Sequence, residues 1–139
     1  MMKKKYILSL IIILLFAYSY GFCQEHIRYK QIDTNQLVME VYYPEKLDNK
    51  KEYPAIVFFF GGGWSSRNIE QFEPHAKYFS QRGMICFIAD YRVRKLQQST
   101  PFESLKDAKS AIRFIRANAE KFHVDTSKIV ASGGSAGGH

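Results

Sequence analysis

The sequence predicts an α/β fold, in which an N-terminal antiparallel hairpin leads into a parallel sheet with crossover helices. Continuous apolar runs at 55–60 and 84–89 are typical of strands covered on both faces, as in parallel sheets. Segments with helical spacing of apolar residues separate these two strands from each other and from a third, at 128–132. This order of strand, helix, strand, helix, strand favours right-handed crossovers within one sheet.

The hairpin is predicted from residues 27–43. Residues 27–33 and 37–43 alternate between apolar and polar side chains, which indicates strands with one covered face. Asn35 is expected in the turn between them, and Pro44 ends the second strand.

Two helices are predicted between the apolar strands. The first covers residues 71–82 and shows apolar residues at helical spacing. The second begins after Thr100, because Thr100, Pro101 and Glu103 form the pattern of an N-cap, a first helical residue and a capping box. Its apolar periodicity extends to about Lys121.

Residues 1–23 are predicted to be a signal peptide, and residues 24–139 to be the folded domain. Lysines occupy positions 3–5, and an apolar stretch follows at 7–17. That stretch is little more than half of the about 20 apolar residues that a spanning helix needs. We therefore expect export to the periplasm or beyond, with no stable membrane span after cleavage. An uncleaved N-terminal anchor and a lipid on Cys23 are the alternatives.

The composition excludes several classes of protein. The 139 residues include 20 Lys+Arg and 13 Asp+Glu, and three of the lysines belong to the leader, so the remaining charge does not indicate a nucleic-acid partner. No histidine, cysteine or glycine pattern has metal-ligand or phosphate-loop spacing, and no metal or cofactor is expected. Cys86 is expected to be a buried, unreactive thiol. The basic cluster of Arg92, Arg94 and Lys95 is expected to be a solvated loop.

The strongest chemical signal is the pentapeptide Gly133-Gly134-Ser135-Ala136-Gly137, which directly follows the third apolar strand. A sharp strand-to-helix turn places its central residue in strained backbone at the carboxyl end of the sheet. The flanking glycines are needed because a Cβ there would collide with the neighbouring strand and helix. Ser135 is therefore predicted to be a nucleophile, close to main-chain N–H groups that favour negative charge.

A second signal is the segment Phe60-Gly61-Gly62-Gly63-Trp64, which follows the first apolar strand. Three consecutive glycines allow the loop to turn back and direct main-chain N–H groups into a cleft. With the N–H group of Ala136 they are expected to form an oxyanion hole, in which each donor stabilises the transition state by about 3–4 kcal/mol. A flexible turn without such a role is the alternative.

These motifs resemble the α/β-hydrolase superfamily, and in particular exported carboxylesterases of the hormone-sensitive-lipase-like and acetyl-xylan-esterase-like groups. The resemblance covers about residues 36–139 and includes Asp90-Tyr91-Arg92 after the second apolar strand. It implies that Asp90 and Tyr91 support the glycine loop and do not react.

The resemblance also implies roles for individual residues. Ser135 would be the catalytic nucleophile, and the main-chain N–H groups of Gly62, Gly63 and Ala136 would be the oxyanion donors. No cofactor or metal is implied.

Two features depart from the family pattern. Phe60 stands where the family's glycine loop usually begins with histidine, so a different bracing of the loop is expected. In these enzymes the triad acid and histidine follow the nucleophile, whereas four residues follow Ser135 here. We therefore expect an incomplete α/β-hydrolase fold, truncated after the nucleophile elbow and with little or no turnover of its own.

Three functions remain open on the sequence. The leading one is a serine hydrolase that cleaves carboxylic esters, of small molecules or of carbohydrates, through an acyl-enzyme. The second is an exported serine peptidase of the prolyl-oligopeptidase type, a group that tends to supply an oxyanion donor from a tyrosine side chain. That group explains the glycines at 61–63 less well. The third is a non-catalytic remnant.

Overall fold

The computed structural model describes residues 24–139, so the predicted signal peptide and Cys23 lie outside the described residues. Within this part of the chain the strands are β1 (Gln24–Ile32), β2 (Asn35–Tyr42), β3 (Tyr53–Phe59), β4 (Ile85–Ala89) and β5 (Val124–Gly133). They form one sheet in the order β1-β2-β4-β3-β5. The antiparallel pairs β1–β2 and β2–β4 lead into the parallel pairs β4–β3 and β3–β5, which confirms the predicted arrangement.

The hairpin turn lies two residues before the predicted position. Asp33 and Thr34 form the turn, and Asn35 is already the first residue of β2. Asp33 adopts a φ of 50°, in the left-handed region that aspartate tolerates because its short side chain forms local hydrogen bonds. Both asparagine and aspartate favour such positions, so the sequence alone did not distinguish between them.

The helices of the described residues are α1 (Glu73–Ser80), α2 (Arg94–Gln97), α3 (Pro101–Ala117) and α4 (Ala119–Phe122). The start of α3 is as predicted: the Thr100 N–H group donates to Glu103 Oε2 at 2.7 Å, and Pro101 is the first helical residue. The predicted continuation to Lys121 is interrupted at Asn118, whose side-chain Nδ2 donates to the Phe114 carbonyl at 2.8 Å. None of the helices in residues 24–139 has the length and apolarity needed to cross a membrane.

Helices cover both faces of strands β3 and β4, as their unbroken apolar runs predicted. The ring of Phe58 on β3 lies 6.2 Å from that of Phe79 on α1. Phe87 on β4 points to the opposite face, where its ring lies 5.4 Å from that of Phe122 on α4. Every residue of β4 is buried, and Cys86 among them has a pKa that burial raises to about 12, as expected for an unreactive thiol.

The third predicted strand differs from expectation. β5 begins earlier than predicted and is largely exposed, because in the described part of the chain it pairs with β3 alone. Half of the surface of Val130 is accessible. Near its start the register with β3 shifts, and there Asp125 Oδ1 accepts a hydrogen bond from the Ser127 N–H group at 2.9 Å. Residues 125–127 therefore form an irregular stretch within the strand.

A buried charge cluster replaces part of the predicted solvated loop. Asp107 on α3 is completely buried and accepts hydrogen bonds from Lys30 Nζ at 2.7 Å and from Arg92 Nε at 2.8 Å. The bond from Arg92 to Asp107 raises the pKa of the Arg92 guanidinium. The prediction of a solvated loop was wrong for Arg92, whereas Arg94 and Lys95 are exposed on the short helix α2.

Candidate active site

The nucleophile elbow has the strained geometry that the sequence predicted. Ser135 lies just beyond the end of β5, opens a 3₁₀ turn at Ser135–Gly138 and has a φ of 52°. A non-glycine residue held in the left-handed region costs about 1–3 kcal/mol, and surrounding contacts must enforce it. The residue is solvent-exposed, so its hydroxyl is accessible at the carboxyl end of the sheet.

The flanking glycines are required by close approach between backbones. A Cβ on Gly133 would lie 2.1 Å from the Gly137 carbonyl oxygen, and a Cβ on Gly137 would lie 2.1 Å from the Phe59 carbonyl oxygen. Both distances are far below any tolerated contact. The elbow is thus packed directly against itself and against the end of β3, which holds Ser135 in its strained conformation.

The glycine loop after β3 turns back on itself. Gly62, Gly63 and Trp64 have φ values of 135°, 60° and 52°. All three residues therefore lie in the region of positive φ that favours glycine. The Gly62 carbonyl accepts hydrogen bonds from the N–H groups of Ser65 at 3.0 Å and Ser66 at 3.1 Å. Within the described residues the Gly62 and Gly63 N–H groups donate to no acceptor, so both are available to a bound group.

The structure brings the loop and the elbow into contact. A Cβ on Gly61 would lie 3.4 Å from the Cβ of Ser135 and 3.0 Å from the Gly134 carbonyl oxygen. The two motifs are 70 or more residues apart in sequence, and the parallel pairing of β3 with β5 places their ends side by side. The predicted nucleophile and the predicted oxyanion loop therefore form one site.

Tyr91 contacts Phe60, the residue that stands where the family's glycine loop usually begins with histidine. Its ring stacks on that of Phe60 at 4.2 Å, and its Oη donates to the Phe60 carbonyl at 2.5 Å. Burial raises the pKa of Tyr91 to about 12, so the hydroxyl remains a hydrogen-bond donor at neutral pH. Asp90 in turn accepts bonds from the Tyr91 N–H group and from Arg67 Nε, each at 2.9 Å. Burial raises the pKa of Asp90, and Arg67 opposes that shift.

Gln71 is a site residue that the sequence analysis missed. Its Oε1 accepts a hydrogen bond from the Gly61 N–H group at 2.6 Å. Its Nε2 lies 3.3 Å from where a Cβ on Gly134 would be, so one side chain contacts both the loop and the elbow. Gln71 belongs to a 3₁₀ turn at Ile69–Phe72, and a single glutamine before a helix carries no chemical signal in a sequence.

No histidine of the described residues is positioned as the general base. His139 is the histidine nearest in sequence to Ser135, and its Nδ1 lies 3.3 Å from the Ser135 carbonyl oxygen, not from the hydroxyl. Its ring meets Trp64 edge-on at 5.6 Å. Across residues 24–139, no hydrogen bond to Ser135 Oγ is present. The site therefore has a candidate nucleophile and candidate oxyanion donors, and no histidine of residues 24–139 is hydrogen-bonded to the Ser135 hydroxyl.

A mostly apolar cavity of about 190 Å³ lies beside the elbow. Trp64 and Ala136 line it on the site's side, and Phe102 and Leu105 at the start of α3 line it on the other. No group of three or more histidine, cysteine or acidic side chains in residues 24–139 is arranged to hold a metal ion.

A sheet with a glycine loop after one parallel strand and a serine elbow after its neighbour defines the α/β-hydrolase superfamily. Within that superfamily, the chain belongs to the BD-FAE family, whose sequence pattern matches residues 39–139. The family resemblance inferred from the motifs is thereby confirmed.

Curated relatives of this chain include esterases. It is 36% identical over 91 residues to esterase LipC of Mycobacterium tuberculosis, an alignment covering 64% of this chain and 22% of the relative. It is 29% identical over 103 residues to carboxylesterase NlhH of the same species, an alignment that covers 73% of this chain and 31% of the relative. The chain thus spans less than a third of the length of these relatives.

Solved structures of an esterase from Thermogutta terrifontis show the same fold. The native Est2 structure has a TM-score of 0.81 and 44% identity, covering 86% of this chain and 42% of that one. The same esterase phosphorylated by paraoxon gives a TM-score of 0.80 and 45% identity, over 82% of this chain and 44% of that one. The part of the fold described here therefore corresponds to less than half of the esterase.

Proposed function

We propose that this chain carries the nucleophile and the oxyanion hole of a serine hydrolase that cleaves carboxylic esters. The observation that supports this most is the contact between the two motifs, in which the Cβ position of Gly61 lies 3.4 Å from Ser135 Cβ. In this proposal Ser135 is the nucleophile, and the N–H groups of Gly62, Gly63 and Ala136 are the oxyanion donors.

The proposed reaction proceeds through an acyl-enzyme. Ser135 Oγ attacks the acyl carbon and gives its proton to a histidine that residues 24–139 do not supply. The carbonyl oxygen gains the negative charge, and each main-chain donor stabilises it by about 3–4 kcal/mol. Collapse breaks the ester bond, and the alcohol leaves with the proton from the histidine. Water then attacks the acyl-enzyme in the same way, which releases the acid and regenerates the Ser135 hydroxyl.

The substrate class we propose is an ester of a small molecule or of a carbohydrate. Two relatives are named esterase and carboxylesterase, and Est2 has been solved with propionate and with butyrate bound. The chain is also 38% identical over 81 residues to endo-1,4-beta-xylanase B of Butyrivibrio fibrisolvens, which supports a carbohydrate ester. We further propose export through the leader at 1–23, on the basis of its lysines and apolar stretch.

A chimera with the Thermogutta esterase tests this function. The segment of Est2 that this chain matches is replaced by the corresponding residues of this chain, and the rest of Est2 supplies the downstream acid and histidine that the family resemblance implies. We expect the chimera to hydrolyse 4-nitrophenyl acetate and the Ser135→Ala chimera to be slower by at least about 1,000-fold. The 139-residue chain alone should be no faster than its own Ser135→Ala variant.

Two outcomes would contradict the proposal. One is a chimera with native-like circular dichroism that hydrolyses no ester, and the other is a Ser135→Ala chimera that keeps its rate. A dipeptide anilide is included as a second substrate, because faster cleavage of the amide than of the ester would favour the peptidase alternative. Ser110→Ala in the chimera is the matched control, since Ser110 lies on α3 and, in the described part of the chain, its hydroxyl donates only to the Lys106 carbonyl of the same helix.

A further inference from the structure

Helix α3 has a strongly basic face that the proposed chemistry does not use. Steps of three and four residues place side chains on one side of a helix, and here such steps separate four exposed cations: Lys106, Lys109, Arg113 and Arg116. The opposite side of α3 is buried against the sheet through Ser104, Asp107, Ala111 and Ile115. At 1.5 Å per residue the four cations form a stripe about 15 Å long, and Lys109, Arg113 and Arg116 also border a hollow beside the end of β5.

These cations form no ion pairs with neighbouring acids. Within the described part of the chain, none of the four has a carboxylate oxygen within 4.0 Å. Asp107 is buried between Lys30 and Arg92. The pKa of Glu103 is lowered mainly by its bond from the Thr100 N–H group, and to a smaller extent by the charges of Arg92 and Lys106. The outward face of α3 therefore presents a stripe of cations without ion pairs, of which Lys106 is partly offset by Glu103.

An exposed aromatic side chain continues the same face. Phe102 lies four residues before Lys106, one helical turn along the stripe, and 77% of its surface is accessible. Leu105, on the flank of the face, is 44% exposed. A dissolved polyanion would engage the cations and leave Phe102 in water. A lipid surface engages both, because interfacial helices combine cations with an aromatic side chain that enters the lipid.

We infer that the outward face of α3 docks on an anionic lipid surface. The four cations lie among the headgroups, and Phe102 enters the boundary between headgroups and acyl chains. Phe102 also lines the cavity that Ala136 borders, so docking brings the edge of the candidate site to the lipid surface. The inference rests on charge and exposure alone and is independent of the proposed ester chemistry.

Vesicle co-sedimentation of residues 24–139, without the leader, tests the inference, because the leader's lysines and apolar stretch would bind anionic vesicles on their own. Vesicles of phosphatidylcholine alone are compared with vesicles in which roughly a third of the lipid is phosphatidylglycerol, an anionic lipid. The test variant is Lys109→Gln with Arg113→Gln. The matched control is Lys46→Gln with Lys50→Gln, which removes the same charge from an exposed loop.

We expect each basic residue at the lipid surface to raise partitioning about fivefold, so the test variant, which lacks two, should bind anionic vesicles roughly 25-fold more weakly than the native chain. The control variant should bind within about twofold of the native chain, and Phe102→Ser should lose about tenfold. Raising the salt concentration should weaken binding of the native chain more than that of the test variant.

Equal losses in test and control variants would overturn the inference, as would equal binding of the native chain to neutral and anionic vesicles. The inference would also be wrong if the chain bound a soluble acidic polysaccharide, polygalacturonate, through Lys109 and Arg113 but did not bind vesicles. Circular dichroism verifies folding of each variant. Lys106→Gln with Arg116→Gln serves as a second test pair if the first does not fold.

Discussion

At the scale of single residues, Gly62 and Gly63 are neighbours that need glycine for different reasons. A Cβ on Gly62 would lie 2.3 Å from the Ser66 carbonyl oxygen, and the residue has a φ of 135°. Gly63 has a φ of 60° with no atom within 4 Å of a Cβ position. The first position is therefore limited by both contact and conformation, and the second by conformation alone.

This difference predicts unequal losses of stability on substitution. Gly63→Ala should lower the free energy of unfolding by about 1 kcal/mol, the usual cost of a non-glycine residue in the left-handed region. Gly62→Ala should lower it by about 3 kcal/mol, because displacement of the Ser66 carbonyl adds to that cost. Urea unfolding of the two variants and of the native chain measures both losses in the free energy of unfolding. Equal losses would contradict the loop geometry.

The candidate site residues could be proposed from the sequence, whereas only part of the surrounding support could. Ser135 and the glycines stand in short motifs whose backbone requirements can be recognised in a sequence. Tyr91 was expected to support the loop, but its stacking on Phe60 became visible only in three dimensions. Gln71 contributes one hydrogen bond through a side chain common on any surface, and no local pattern marks it.

At the scale of elements, Asp107 joins three parts of the fold. It lies on α3, and its carboxylate binds Lys30 of β1 and Arg92 of the loop after β4. No local pattern indicates this contact, because Lys30 and Asp107 are 77 residues apart in sequence and only the packing of α3 on β1 brings them together. The pKa of the Tyr29 hydroxyl, on the same strand, is raised mainly by burial and secondarily by the Asp107 charge.

Removing the Asp107 charge should therefore be costly. Asp107→Asn leaves Lys30 and Arg92 as partly buried cations without their shared anion, and breaking such a cluster costs about 3–5 kcal/mol. The matched control is Asp125→Asn, which breaks an ion pair with Lys128 on the exposed strand β5 and should leave the unfolding midpoint nearly unchanged. Thermal unfolding, monitored by circular dichroism, measures the unfolding midpoint of each variant. Similar shifts for both variants would mean that the Asp107 cluster does not hold the elements together.

Element types could be predicted more reliably than element ends. The strands and the start of α3 follow from apolar runs and from a capping pattern, both of which are local. The break at Asn118 and the irregular start of β5 depend on side-chain bonds to carbonyls and on the register with β3. The composition of β5 indicated burial, but burial depends on what lies beside a strand and not on the strand alone.

At the scale of the whole molecule, this chain spans part of the esterase fold. It covers 42% of Est2, and residues 24–139 place no imidazole at the Ser135 hydroxyl. The sheet nevertheless assembles the loop and the elbow, because both follow strands that pair within the described residues. The proposed nucleophile and the proposed oxyanion donors are thus brought together by the pairing of β3 with β5.

The most direct measurement is covalent labelling of the Est2 chimera by paraoxon, which phosphorylates the Thermogutta esterase itself. Intact-mass spectrometry followed by peptide mapping locates the adduct. We predict one phosphoryl adduct per chain, on Ser135, and none on the Ser135→Ala chimera. An adduct on any other residue, or an unlabelled chimera that still hydrolyses esters, would contradict the assignment of Ser135 as the nucleophile.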